Sequence, residues 1–108
     1  MRKLLIADAS EPYTQALEEI FRNEFELRIC HDGESALELL HSFRPDALIL
    51  NFMLPFQDGL TVLQKSAYAP PVILAIASYT NAYIEHSAAD LGVQYIMIMP
   101  TVDALRIR

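Results

Sequence analysis

The segment Pro45-Asp46-Ala47-Leu48-Ile49-Leu50-Asn51-Phe52-Met53-Leu54-Pro55-Phe56-Gln57-Asp58-Gly59 carries an unbroken apolar run, Ala47 to Leu50, that stops at Asn51. A strand with one wet face alternates apolar and polar residues. A run without alternation suits a central parallel strand covered on both faces. The residues from Met53 to Gln57 then read as a loop. Asp58-Gly59 reads as a turn into a short helix from about Leu60 to Ala67.

The same reading extends outward in both directions. Toward the N-terminus, Leu4 to Ala7 is a second short buried run, ending at Asp8. Ser10 reads as an N-cap, with Glu11 and Pro12 suited to a first helical turn. Tyr13, Ala16, Leu17, Ile20 and Phe21 follow at helical spacing and predict one apolar stripe. Phe25, Leu27 and Ile29 alternate with Glu26, Arg28 and Cys30, as in a half-buried strand near a sheet edge. Asp32-Gly33 punctuates the chain. Ala36, Leu37, Leu40 and Phe43 mark a second helix, closed by Arg44-Pro45. Toward the C-terminus, Val72 to Ala77 is another buried strand. Ile84, Ala88 and Leu91 share a helical face, Gly92 is a helix stop, and Tyr95 to Ile98 is a last strand before Pro100. Thr101 to Arg108 is expected to begin a final helix.

Five strands separated by helices at short intervals predict a doubly wound α/β sheet. Such sheets place functional groups at the carboxyl ends of their strands. The positions just past a strand are Asp8, Asn51, Ala77 and Met99. The chain has 108 residues, about one domain, and 53% of them are hydrophobic, which supports a packed core. A net charge of -6 argues against direct nucleic-acid binding, which depends on Lys and Arg neutralising phosphates. There is no polybasic run for an anionic membrane and no apolar run near the length of a spanning helix. One cysteine, Cys30, forms no internal pair, and a reduced, cytoplasmic setting is expected.

The segment from Pro45 to Gly59 closely resembles the receiver domain of two-component response regulators, the CheY-like family. That family typically has Pro-Asp, four apolar residues, an acceptor Asp, two residues, Leu-Pro, two residues and Asp-Gly. The acidic end of the first strand and the Met99-Pro100 closure support the resemblance, which covers essentially the whole chain. It implies a flavodoxin-like three-layer α/β/α sandwich with five parallel strands in the order 2-1-3-4-5. It also implies five chemical positions. Asp8 matches the first magnesium-binding acid, and the second falls on Ala9. The phosphoryl acceptor falls on Asn51, the phosphate-reading hydroxyl on Ile76 or Ala77, and the charge-pairing Lys on Met99. Ser78 is the adjacent hydroxyl. The resemblance further implies a cis Met99-Pro100 bond.

Each departure has a chemical meaning. An amide oxygen is a poor nucleophile, so Asn51 should form no acyl phosphate. Magnesium prefers carboxylate and phosphate oxygens. Asp8 with a neutral amide and one backbone carbonyl makes a weak site, so no cofactor is expected. Met99 offers no charge to balance a phosphate. A lone acid-to-amide change would leave the other positions intact, whereas Ala9 and Met99 show loss throughout the pocket. The chain is therefore expected to be a degenerate receiver.

Other candidates have plainer readings. Asp8 is expected to support the start of the first helix rather than hold a cation. Met53, Met97 and Met99 are expected as core and pocket filler. His31, His41 and His86 lack ligand spacing and read as surface residues, and Cys30 reads as a buried, inert thiol. The family's switch aromatic falls on Ile96, one place after Tyr95. Tyr79, Tyr83 and Tyr95, with Ile96, are expected on a protein-contact face or as packing tyrosines. No nucleophile–base pair appears at a strand end, so no enzyme activity is expected. The chain is read as the N-terminal domain of a longer regulator. It would control an output domain, expected to be transcriptional, by contact or by homodimerisation, without a phosphorylating kinase. The alternatives are a ligand sensor built on the vacated pocket near Asn51 and Met99, and a receiver using another acceptor such as Ser78 or Asp58.

Overall fold

The unbroken apolar runs become the inner strands of one parallel sheet. The structure is a computed structural model and describes residues 1–99. Its elements are β1 (Arg2–Ala7), α1 (Glu11–Phe21), β2 (Phe25–Cys30), α2 (Gly33–Ser42), β3 (Ala47–Asn51), α3 (Gly59–Lys65), β4 (Val72–Ala77), α4 (Ala82–Asp90) and β5 (Tyr95–Ile98). Strand order is β2-β1-β3-β4-β5, with every pairing parallel. This is the expected flavodoxin-like arrangement. Leu5 pairs with Leu48, and Leu48 with Ile73, so three fully buried side chains cross the sheet in line. Leu40 of α2 and Val62 of α3 close over the sheet. β2 lies at the edge and alternates half-buried with exposed residues up to buried Cys30.

Each helix starts at the carboxyl end of a strand, and each start is held by a short polar side chain. Ser10, Asp32, Asp58 and Asn81 accept the N–H of Tyr13, Ser35, Thr61 and Ile84. Such caps are worth about 1 kcal/mol apiece. They fix the loops that carry the candidate site. α3 begins at Gly59 and ends at Lys65, short of the expected Ala67. The Ser66 hydroxyl accepts the Tyr68 N–H and donates to the Tyr68 carbonyl. That local turn competes with the helix. Gly92 takes φ +93, as its role as a helix stop requires.

The stripe expected on α1 is rotated. Thr14 is buried, with Tyr13, Leu17 and Phe21 half-buried beside it, while Ala16 and Ile20 are exposed. Phe21 on this inward flank meets Phe25 edge to face at 5.8 Å, and Thr14 meets His31 at 3.3 Å. The expected final helix, Pro100 and the Met99-Pro100 bond fall outside the described residues. Among the described residues no helix is long and apolar enough to cross a membrane.

Candidate functional site

The buried run of β1 delivers Asp8 to the end of the sheet with only 4% of its surface exposed. One carboxylate oxygen accepts the Ser10 N–H at 2.9 Å, so Asp8 does support the start of α1. The other accepts the Asn51 side-chain amide at 3.0 Å, from the end of β3. The Asn51 Oδ1 in turn accepts the Met53 N–H at 2.8 Å. This last bond fixes the orientation of the amide, because a flipped group would set two donors against each other. Asn51 therefore presents a donor to Asp8 where the resemblance places an acidic acceptor. Hydrogen bonds to a charged group contribute about 1.5–3 kcal/mol each. The buried charge of Asp8 is satisfied from within the chain.

The donor set does not fit a divalent cation. A hard cation needs oxygens. The Asn51 NH2 group points at the only carboxylate of the pair, and Ala9 is exposed with no side-chain oxygen. Among the described residues no cluster of three or more His, Cys, Asp or Glu side chains could hold a metal. The Asp8 charge is nonetheless felt nearby. Burial pushes the Tyr13 hydroxyl pKa above its ordinary value, and the Asp8 carboxylate pushes it further.

Across the sheet, Asn51 pairs in register with Ile76. Ile76 and Ala77 are both buried, and Ser78 is half-buried just beyond them. Met99 is tied to β4 by its N–H on the Ala77 carbonyl at 2.8 Å. An apolar cleft of ≈ 240 Å³ opens beside these positions. Phe52, Met53, Leu60, Ala77, Tyr79 and Ile84 form its walls, with Asp58 and Ser78 as polar members. Met53, Ala77 and Ser78 thus come together, whereas Asp8, Asn51 and Met99 lie outside the cleft lining. Sequence reading missed Phe52, Leu60 and Ile84 as lining residues, because each also reads as ordinary packing.

Several expectations need correction. Met97 and Met99 are exposed rather than filling core or pocket, since β5 is an edge strand, and Met53, on a loop, lines the cleft but stays largely exposed. His31 is half-buried, not a surface residue. The His31 Nε2 lies 3.3 Å from the Thr14 hydroxyl, which also lies 3.0 Å from the Glu11 carbonyl. Exposed His41 accepts the Ala67 N–H, and His86 is exposed beside Asp90. Tyr79, Tyr83 and Tyr95 are exposed, so they are not packing tyrosines, and Ile96 packs partly against the core. Asp58 caps α3 through both oxygens, to Thr61 N and Oγ1.

Cys30 is buried, as expected. Burial first, and then the neighbouring Asp32 charge, push its thiol pKa up to about 12. At pH 7 the native chain should react with a disulfide reagent no faster than it unfolds, because the thiolate is the attacking form. Labelling of Cys30 ahead of the loss of secondary structure, followed by absorbance and circular dichroism together, would contradict this.

The model of the response regulator receiver domain matches residues 4–104 of the chain. A protein-glutamate methylesterase/protein-glutamine glutaminase of Rhodopseudomonas palustris is 36% identical over 105 residues. The match covers 93% of this chain and 29% of that protein, so the chain spans under a third of the relative's length. Among solved structures, the receiver domain of the Francisella response regulator 1452 is 22% identical with a TM-score of 0.78. It is matched over 100% of this chain and 93% of its own. The response regulator domain of Thermotoga maritima CheB is 19% identical with a TM-score of 0.75, over 99% of this chain and 87% of its own. At these identities the two structures show the shared fold.

Proposed function

The chain belongs to the response regulator receiver family, and from that premise we propose that it signals by protein contact without itself being phosphorylated. The Asn51 amide bonded to Asp8 carries this reading. At the acceptor position it supplies a hydrogen-bond donor instead of a nucleophile, and it occupies the carboxylate that would help hold magnesium. Ala9 and Met99 remove the second acid and the balancing positive charge. The domain then acts as a fixed scaffold that controls an attached output domain as the N-terminal part of a longer regulator. Family members commonly carry a transcriptional output. The Rhodopseudomonas relative, named as a methylesterase, supports an enzymatic output as the second class.

The contact face we propose is built on α4 and β5. Tyr83 and Tyr95 are 73% and 61% exposed, and a cleft of ≈ 360 Å³ runs between Ala89, Val93, Tyr95 and Ile98. Exposed aromatic side chains beside small residues suit a protein interface. Sedimentation velocity of the 108-residue chain tests both parts. Association should rise with concentration, weaken about tenfold with Tyr95→Glu, and stay the same with acetyl phosphate and magnesium. Association that depends on acetyl phosphate, or that ignores Tyr95→Glu, would contradict the reading.

A further inference from the structure

Among the described residues positive charge is confined to one end of the sheet, while acids occur at both ends. Helices in a parallel α/β sheet run opposite to their strands, so helix starts lie at the carboxyl end of the sheet and helix ends at the amino end. Every Lys and Arg among the described residues sits toward the amino end. Arg2 and Lys3 begin β1, Arg22 ends α1, Arg44 follows α2 and Lys65 ends α3. Arg28 reaches the same end, because its guanidinium lies 4.8 Å from the centre of the Phe43 ring. The carboxyl end instead carries Asp8, Glu11, Asp32, Glu34, Asp58 and Glu85, at strand ends or in first helical turns.

The apolar cleft opens at this acidic end. Met53 and Tyr79 line it, 64% and 63% exposed, so they are available to a partner. Asp58 contributes to the lining, whereas Glu85, one residue past Ile84 in α4, faces the α4–β5 cleft beside Thr80. The Asp58 oxygens already accept bonds from Thr61, but a carboxylate has about four acceptor positions and can take a further cation. An apolar recess next to a one-signed field selects a ligand that is apolar and positive at once. Phosphate-bearing partners, whether nucleic acid or anionic lipid, meet repulsion here. A second copy of the chain is a poor match too. Its Lys3 and Arg28 lie against Phe43 and its Arg44 against Tyr68, so three of its six described cations are already engaged.

We propose that the cleft between α3 and α4 docks a cationic amphipathic segment of a partner protein, which seats one apolar side chain among Phe52, Leu60, Ala77 and Ile84 and presents its Lys or Arg residues to Asp58 and the acidic carboxyl end of the sheet. This surface is distinct from the α4–β5 face, so the two readings can fail separately.

The test is a titration of the nitrogen-15-labelled chain, followed by amide shifts. The probe is a short synthetic amphipathic peptide of Leu and Lys, with a Leu and Glu peptide of the same pattern as control. The Lys peptide should shift the amides of Met53, Leu60, Ser78, Tyr79 and Ile84, and its affinity should fall with added salt. Met53→Lys and Tyr79→Lys change exposed residues and leave the fold intact. Each should weaken binding about tenfold. Glu18→Gln, on exposed α1 surface, should not change it. Equal binding of the two peptides, shifts that spread over the acids of α1 and α2, or indifference to both Lys variants would overturn the proposal. Concentration-dependent shifts at the same amides in the chain alone would assign the cleft to a second copy and overturn it as well.

Discussion

Asn51→Asp should lower the stability of the fold by about 1–3 kcal/mol at pH 7, the range for disrupting a buried hydrogen-bonded charge. The substitution removes the donor that sits 3.0 Å from the Asp8 carboxylate and puts a second carboxylate there. Two carboxylates in one site cannot both ionise freely, so the folded state holds a proton more tightly than the unfolded chain. A raised folded pKa favours folding at low pH. The loss should therefore appear as pH rises above the ordinary carboxylate range, and it should be complete above the raised pKa. Magnesium should restore part of the stability to Asn51→Asp, since two carboxylates now face one point. It should leave the parent chain unchanged. Urea unfolding at several pH values, with and without magnesium, measures this. A variant as stable as the parent at pH 7 in the absence of magnesium would show that the amide bond does not matter.

Gly33→Ala should be the more damaging change, costing about 3 kcal/mol or more by forced overpacking. A Cβ at Gly33 would lie 2.0 Å from the Gln57 carbonyl oxygen and 2.7 Å from its carbon. The obstacle is backbone, and it cannot swing aside. The Gly33 N–H also donates to the Pro55 carbonyl at 3.0 Å, so the start of α2 and the loop after β3 are held as one unit. That loop already carries Phe56 in the left-handed region at φ +70 and leads to the Asp58 cap. Moving it would disturb the same end of the molecule that holds Asn51. Glu34→Ala, one residue along on exposed helix surface, should stay within about 0.5 kcal/mol of the parent. Thermal melts of the two variants decide the matter. A Gly33→Ala chain that melts with the parent would contradict the close approach.

The strands were legible because burial on both faces writes an unbroken apolar run, as at 4–7, 47–50 and 72–77. The helix starts were legible at Ser10 and Asp58, where capping chemistry is local in sequence. The phase of α1 was not. Periodicity places Ala16 and Ile20 on a stripe with Leu17 and Phe21, but which flank turns inward depends on tertiary contacts such as Phe21 with Phe25 and Thr14 with His31. The methionines misled for a related reason. An apolar side chain signals burial only when a neighbour covers it, and Met53 lies on a loop while Met97 lies in an edge strand and Met99 just past it. His31 and Thr14 meet across two elements, which no spacing records. For the site, sequence placed Asp8 and Asn51 at adjacent strand ends. It did not show the direction of the amide, which depends on the Met53 N–H.

Phosphorylation is the step on which the functional reading stands. Intact-mass spectrometry of the chain after incubation with acetyl phosphate and magnesium tests it, with the triple variant Ala9→Asp, Asn51→Asp and Met99→Lys alongside. The variant restores nucleophile, metal ligand and charge balance together, and it should gain mass. The unaltered chain should keep its mass. A gain of one phosphoryl group on the unaltered chain, mapped to Asn51, Asp58, Ser78 or any neighbour in this pocket, would contradict a receiver that signals without phosphorylation.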